Sequence, residues 1–317
     1  MDKEDQVHVA ESPKLYKAHL ICSISYFAII GSLIRNSLDL FFDNVTNDLE
    51  SSKSVFVLAS VANMFGCFIM GWLFIKDKPQ TPLYIGLTTG LCGSITTYSK
   101  FNHQVSILLL GRSGLVNPSS QIIAIFAILV WLYTSMSSWI VGKDLSFVLK
   151  KDLFSKKFSK KTFYLSLTVL LLLNVILVSL LVLYFMENKR LSTLCFAALL
   201  APFGSLMRYY LGKHVPRFSS KKSPILNLIP TGTLTANFIG SMLLSLLYVL
   251  EQVYINSPTR NIFIVGVSSG LLACLTTVSS FVNEVQILRV KCLKAAYIYI
   301  ILTLVLCISI SCLILIF

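Results

Sequence analysis

Nine apolar stretches separated by short polar ones account for most of the chain: roughly 15–37, 55–75, 82–110, 121–141, 163–186, 191–212, 228–250, 261–288 and 294–317. Each has about the 20 residues a helix needs to cross the hydrocarbon core of a bilayer. The third and eighth are longer and carry Gly, Ser and Thr at their centres. Extra length with weak helix formers in the middle predicts a broken helix. One long tilted helix, with small residues for close approach, is the alternative. The fifth stretch is nearly pure Leu, Val and Ile, with Asn174 as its one strongly polar interior residue. It reads as a spacer with a topological task.

Composition and charge sharpen this picture. Hydrophobic residues make up 55% of 317 and charged residues 13%, at a mean hydropathy of +0.77. That excludes an ordinary soluble domain. The net charge of +13 does not point to nucleic acid, because the cations sit in short loops between apolar runs. With the N-terminus inside, 19 Lys and Arg fall in inside segments and five in outside ones. This predicts a cytoplasmic N-terminus and an extracellular C-terminus. The basic stretch 143–161 then faces anionic inner-leaflet lipid. The first 14 residues have no apolar core, so no cleavable signal peptide is expected. The eight Cys form no C-x-x-C and the four His no metal spacing. Neither a Walker A motif nor a catalytic triad or carboxylate pair within the spans is found, so no enzyme is expected.

The chain repeats itself. Gly86, Gly90, Thr96, Thr97, Ser99 and Phe101 recur 180 residues later as Gly266, Gly270, Thr276, Thr277, Ser279 and Phe281. Gly31-Ser-Leu-Ile-Arg35 matches Gly204-Ser-Leu-Met-Arg208, and Ala62-Asn63-x-x-Gly66 matches Ala236-Asn237-x-x-Gly240. Tyr133-x-x-x-Ser137 is paired with Tyr299-x-x-x-Thr303. Stretches 1–4 thus match 6–9, and the single fifth span turns the second set upside down. The expectation is an all-α membrane protein of nine spans. A cytoplasmic tail (1–14) precedes a four-helix repeat (15–142); a basic loop and linker helix (143–190) lead to a second, inverted repeat (191–317). Inverted repeats place paired sites near the midplane where the halves meet.

Several residues there could act on an ion. Asn63 and Asn237 sit mid-span, where an amide needs a partner, so they face either an interhelical hydrogen bond or a polar path. Thr233 lies one turn before Asn237 on the same face; Ala59 holds the equivalent place before Asn63. At the Thr-Thr centres, freed carbonyls can hold a cation or be bridged by water. Arg35 and Arg208, at the ends of spans 1 and 6, are interfacial anchors, an anion-attracting vestibule or hydrogen-bond hubs.

These motifs (G-x-x-x-R, N-x-x-G and G-x-x-G-x-x-T-T-x-S-x-F) resemble those of the Fluc/CrcB fluoride channel family, in the fused form whose two four-helix domains share one linker helix. The resemblance covers about 20–310. It implies passive export of fluoride across the plasma membrane by a monomer that acts as a pseudo-dimer in the bilayer. It implies that Asn lines the ion path, that Thr233 matches a pore Thr, and that Tyr98, Phe101, Val278 and Phe281 match two aromatic positions. It also implies a structural Na⁺ on the carbonyls of Gly93, Thr96, Ala273 and Thr276. Val278 removes one aromatic and Tyr98 replaces another, so the two paths are not equivalent. One working path is expected through Asn237, Thr233, Phe281, Thr303 and Tyr98. Asn63, Phe101 and Ser137 then belong to a degenerate one. Lys100 departs from the motif with no assignable task. A secondary carrier of another small solute, and a structural protein without flux, are the alternatives.

Overall fold

A computed structural model describes residues 13–46, 51–74, 81–111, 119–149, 160–184, 189–219, 223–253 and 258–316. All regular structure among them is helical. The first half comprises α1 (Pro13–Thr46), α2 (Ser51–Trp72), a broken third unit and α6 (Ser119–Leu149). The third unit runs from α3 (Pro82–Ile85) through a π-helical turn (Gly86–Cys92) to α4 (Gly93–Ile95). Thr96 and Thr97 are extended, and α5 (Tyr98–Leu109) resumes the path. Then come α7 (Lys160–Tyr184), α8 (Lys189–His214) and α9 (Thr231–Val253). The second broken unit is α10 (Pro258–Gly266), a π turn (Val267–Leu272), α11 (Ala273–Leu275) and α12 (Ser279–Lys291). α13 (Leu293–Ile316) closes the order.

Seven segments among the described residues are long and apolar enough to cross a membrane. The second broken unit is one of them, as Ile262–Lys291; α2 supplies a shorter apolar run, Val61–Trp72. Both long Gly/Ser/Thr stretches break, so neither is one tilted helix. The cause is local: a π turn widens the helix, then the first Thr of each pair turns extended, and nearby carbonyls lose their helical donors. Two other boundaries move. α1 runs on to Thr46 and α6 to Leu149, past the expected 37 and 141. Residues 1–12 of the expected tail and 150–159 of the basic loop lie outside the described residues.

Glycine permits the contact that positions the breaks. A Cβ on Gly31 would lie 2.6 Å from Leu91 O, and one on Gly204 would collide with the equivalent carbonyl, Leu271 O. α1 and α8 can therefore lie directly on the two π turns, and they also pack on each other. One turn further along the same faces stand Arg35 and Arg208. The largest core cluster joins both halves, with Cys67, Met70 and Trp131 among Phe281, Val285 and Tyr299. α7 stays at the edge, packing Leu177 near Ile29, Cys195 and Ala198. Its Asn174 Nδ2 donates to Leu170 O of its own helix at 2.8 Å, which suits a spacer.

Candidate ion path at the crossed helix breaks

The two breaks are tied together by their own hydroxyls. Thr96 Oγ1 accepts from the backbone N–H of Ser279 at 3.2 Å, and Thr276 Oγ1 from that of Ser99 at 3.1 Å. The same two hydroxyls bond the side chains of Ser279 at 3.1 Å and Ser99 at 3.0 Å. A helix start leaves N–H groups without intrahelical acceptors. Here each restarted helix has part of its cap supplied by the opposite half. Its own half supplies the rest. Asn63 Oδ1 accepts from Thr97 N at 2.9 Å while its Nδ2 donates to Thr97 O at 3.2 Å. Asn237 does the same to Thr277, at 2.9 and 3.2 Å. Both asparagines are fully buried. These bonds use the Oδ1 and one Nδ2 hydrogen of each asparagine, and each Nδ2 carries a second hydrogen.

The arginines are not interfacial anchors. Arg35 is 0% exposed and Arg208 4%. Arg208 Nη1 donates to Gly93 O at 2.9 Å, Cys274 O at 2.5 Å and Thr276 O at 3.1 Å, and its Nη2 to Thr89 O at 2.5 Å. Arg35 donates to Ser94 O and Ser269 O. Each guanidinium thus collects carbonyls from both breaks. Arg35 also lines a cavity of about 350 Å³ with Thr97, Lys100, Asp39 and Arg190. Lys100, unassigned by sequence, pairs with Asp39 at 3.0 Å on that wall.

Beyond the second break a polar track continues. Thr233 Oγ1 donates to Glu284 Oε1 at 2.7 Å, and Tyr299 OH donates to Glu284 Oε2 at 2.8 Å. Thr303 is buried one turn past Tyr299, with its Oγ1 donating to Tyr299 O at 2.8 Å. Phe281 lies 5.2 Å from the Tyr299 ring and 6.2 Å, edge-on, from Tyr98. Tyr98 OH reaches Thr303 O at 3.4 Å. Thr233, Phe281, Thr303 and Tyr98 therefore come together around Glu284 and Tyr299, with Tyr98 arriving from the other half, and Asn237 stands one turn from Thr233 on α9. Glu284 leads toward a cavity of about 960 Å³ lined by Lys143, Arg217 and Lys291. No sequence motif selects Glu284, although it is one turn from Phe281, and Tyr299 enters the repeat match only by its spacing to Thr303.

The first half differs. Tyr133 is 74% exposed, so the expected Tyr133-x-x-x-Ser137 register is corrected. The inward residues of α6 are Trp131 and Ser135, each 0% exposed. A shift of two residues turns a helix side chain by about 200°, to the opposite face. Trp131 holds the place of Tyr299, and Ser135 that of Thr303. Trp131 stacks on Phe101, with ring centroids 4.1 Å apart and planes at 9°. Where Glu284 stands in the second half, Gln104 stands in the first. Trp131 Nε1, Gln104 Oε1 and Ser135 Oγ are buried without hydrogen-bond partners among the described residues. The proposed cation ligands Gly93, Thr96, Ala273 and Thr276 all lie buried at the breaks, with Gly93 O and Thr276 O accepting from Arg208.

Comparison with known proteins matches this doubled architecture. A family model described as CrcB-like protein, Camphor Resistance (CrcB), fits residues 22–142 and again 195–315. A relative named Fluoride export protein 1, from Candida albicans, is 28% identical over 297 residues, which is 84% of this chain and 72% of the relative. Its namesake in Neurospora crassa is 27% identical over 247 residues, 70% of this chain but 45% of that protein. A Fluoride-specific ion channel FluC from Haemophilus influenzae is 33% identical over 132 residues, covering 40% of this chain and 76% of the relative. No solved structure matches. With the family's unit present twice around one pair of crossed breaks, the chain belongs to the CrcB-like (Camphor Resistance) protein family.

Proposed function

We propose that this chain is a passive fluoride channel that exports cytosolic fluoride down its electrochemical gradient, and is not an enzyme. The observation that carries the reading is the pair of crossed breaks in a chain whose halves both match the family model. In this reading the chain has nine spans in two inverted repeats, 15–142 and 191–317, joined by 143–190. It sits as a monomeric pseudo-dimer in the plasma membrane, N-terminus inside and C-terminus outside, as the Lys and Arg asymmetry supports. An inside-negative potential drives the anion outward with about 2.3 kcal/mol per charge per 100 mV.

One path conducts. The electropositive ring edges of Phe281 and Tyr98 flank the anion, and the second Nδ2 hydrogen of Asn237 replaces lost water. Thr303 continues the track. Glu284 orders the hydroxyls of Thr233 and Tyr299; its negative charge is offset by Lys143, Arg217 and Lys291 around the inner cavity. Ser137 leaves this scheme, because Ser135 faces inward in its place. In liposomes, fluoride efflux well above chloride efflux and independent of a proton gradient is expected. Saturable, proton-coupled exchange would favour a carrier, and absence of flux a structural protein.

The crossed breaks offer neutral backbone oxygens, ligands suited to a hard cation. Gly93, Thr96, Ala273 and Thr276 would hold Na⁺ through their carbonyls, provided Arg208 releases Gly93 and Thr276. The ion would supply a fixed positive charge between the halves, joining that of Arg208. Replacing all Na⁺ by a bulky organic cation during the flux assay is expected to suppress fluoride efflux and lower the melting temperature. Unchanged flux and melting would leave Arg208 as the cation of the breaks.

A further inference from the structure

The two halves share their breaks but not their aromatic walls, and that difference has a chemical consequence. In the second half, Tyr299 is tilted at 53° to Phe281 with centroids 5.2 Å apart, and its hydroxyl is drawn away to Glu284. The wall beside Phe281 carries a row of oxygen atoms, from Tyr299, Glu284 and Thr233. In the first half the corresponding residue is Trp131, larger and without a hydroxyl. It lies nearly parallel to Phe101 with centroids 4.1 Å apart. It also meets Tyr98 edge-on at 5.7 Å and lies 6.4 Å from Phe281 at 18°. Rings stacked at that distance are in van der Waals contact and leave no room for an ion between them. The neighbours do not compensate. Gln104 Oε1 and the Trp131 indole N–H are both buried without partners among the described residues.

We propose that Trp131 is a built-in plug: its indole closes the first-half path by stacking on Phe101, which is why a chain with two breaks conducts through one path. This rests on the one-path reading above and extends it by naming the side chain that shuts the other. Trp131 fills the space beside Phe101, one turn from Ser135 on its own helix; with Asn63 on α2, these are the counterparts of Phe281, Thr303 and Asn237. Removing the indole would open a passage through residues that already resemble the working set. The alternative use of an unpartnered buried N–H, as a donor to a passing anion, makes an opposite prediction.

The test is fluoride efflux from liposomes containing the full chain, with Trp131→Ala and Trp131→Phe each made alone and together with Asn237→Asp. Phe keeps a ring against Phe101 but has no N–H, and a monodisperse elution profile identifies folded variants. With Asn237→Asp alone nearly silent, Trp131→Ala in that background is expected to raise efflux about tenfold, because an opened path carries an anion that a closed one excludes. Trp131→Phe should leave the doubly substituted protein silent and the otherwise native protein at its usual rate. If folded Trp131→Ala, Asn237→Asp protein stays as silent as Asn237→Asp, the plug is overturned while the one-path reading stands. If Trp131→Phe alone removes flux, the indole is a donor to the ion and the plug is again wrong. If Asn237→Asp alone conducts normally, the one-path reading fails and the plug fails with it. Should Trp131→Ala not fold, Trp131→Gln, which keeps a long polar side chain without a stacking ring, serves the same comparison.

Discussion

Asn237→Asp should abolish fluoride efflux, and Asn63→Asp should leave most of it. The pair is its own control. Each asparagine holds the second threonine of its break by the same two bonds, at 2.9 and 3.2 Å. An aspartate keeps the acceptor and loses the donor in both places, so the cost to the fold is shared. What differs is the charge placed beside a conducting path. Two negative charges about 4 Å apart repel by about 4 kcal/mol at an effective dielectric of 20, or roughly a thousandfold in rate. Liposome efflux of the two variants, with matched elution profiles, measures the difference. Equal loss in both would sink the one-path reading.

Arg208→Ala should cost the protein its fold. The guanidinium serves the carbonyls of Thr89, Gly93, Cys274 and Thr276, drawn from both broken units. Buried polar groups left without a partner cost about 1–3 kcal/mol each, and four of them rival the whole stability of a typical domain, roughly 5–15 kcal/mol. Arg208→Lys should rescue little. An ammonium is a point charge and cannot span the same fork of acceptors. Arg35→Ala, freeing Ser94 O and Ser269 O, should be milder. The readout is the yield of monodisperse protein and its melting temperature. An Arg208→Ala protein that melts within a few degrees of the native one would contradict this account.

The breaks were legible because Gly, Ser and Thr at the centre of an apolar run contradict a simple span, and because the run occurs twice. The arginines were harder. Ending the first span near 37 put Arg35 at its edge, and only the continuation of α1 to Thr46 makes the residue internal. The register of α6 failed for another reason. Its sequence is apolar on every side, so no periodic signal says which face turns inward. Tyr133 and Ser137 look like Tyr299 and Thr303 by spacing alone, whereas burial selects Trp131 and Ser135. Glu284 escaped because a carboxylate near an anion path is not what composition suggests. Its two hydroxyl donors come from α9 and α13, distant in sequence.

The exchange of caps between the breaks bears on how such a chain can diverge. Thr96 helps cap the helix that begins at Ser279, and Thr276 the one that begins at Tyr98. Neither half holds everything its own restart requires, so a change in one threonine is felt first in the other half. The crossing must therefore drift as a matched set, while the flanking walls are free to part company, as Gln104 and Glu284 or Trp131 and Tyr299 have done. Fusion into one polypeptide guarantees that each half always meets the sibling it was matched to, and so allows an asymmetry that two identical subunits could never encode.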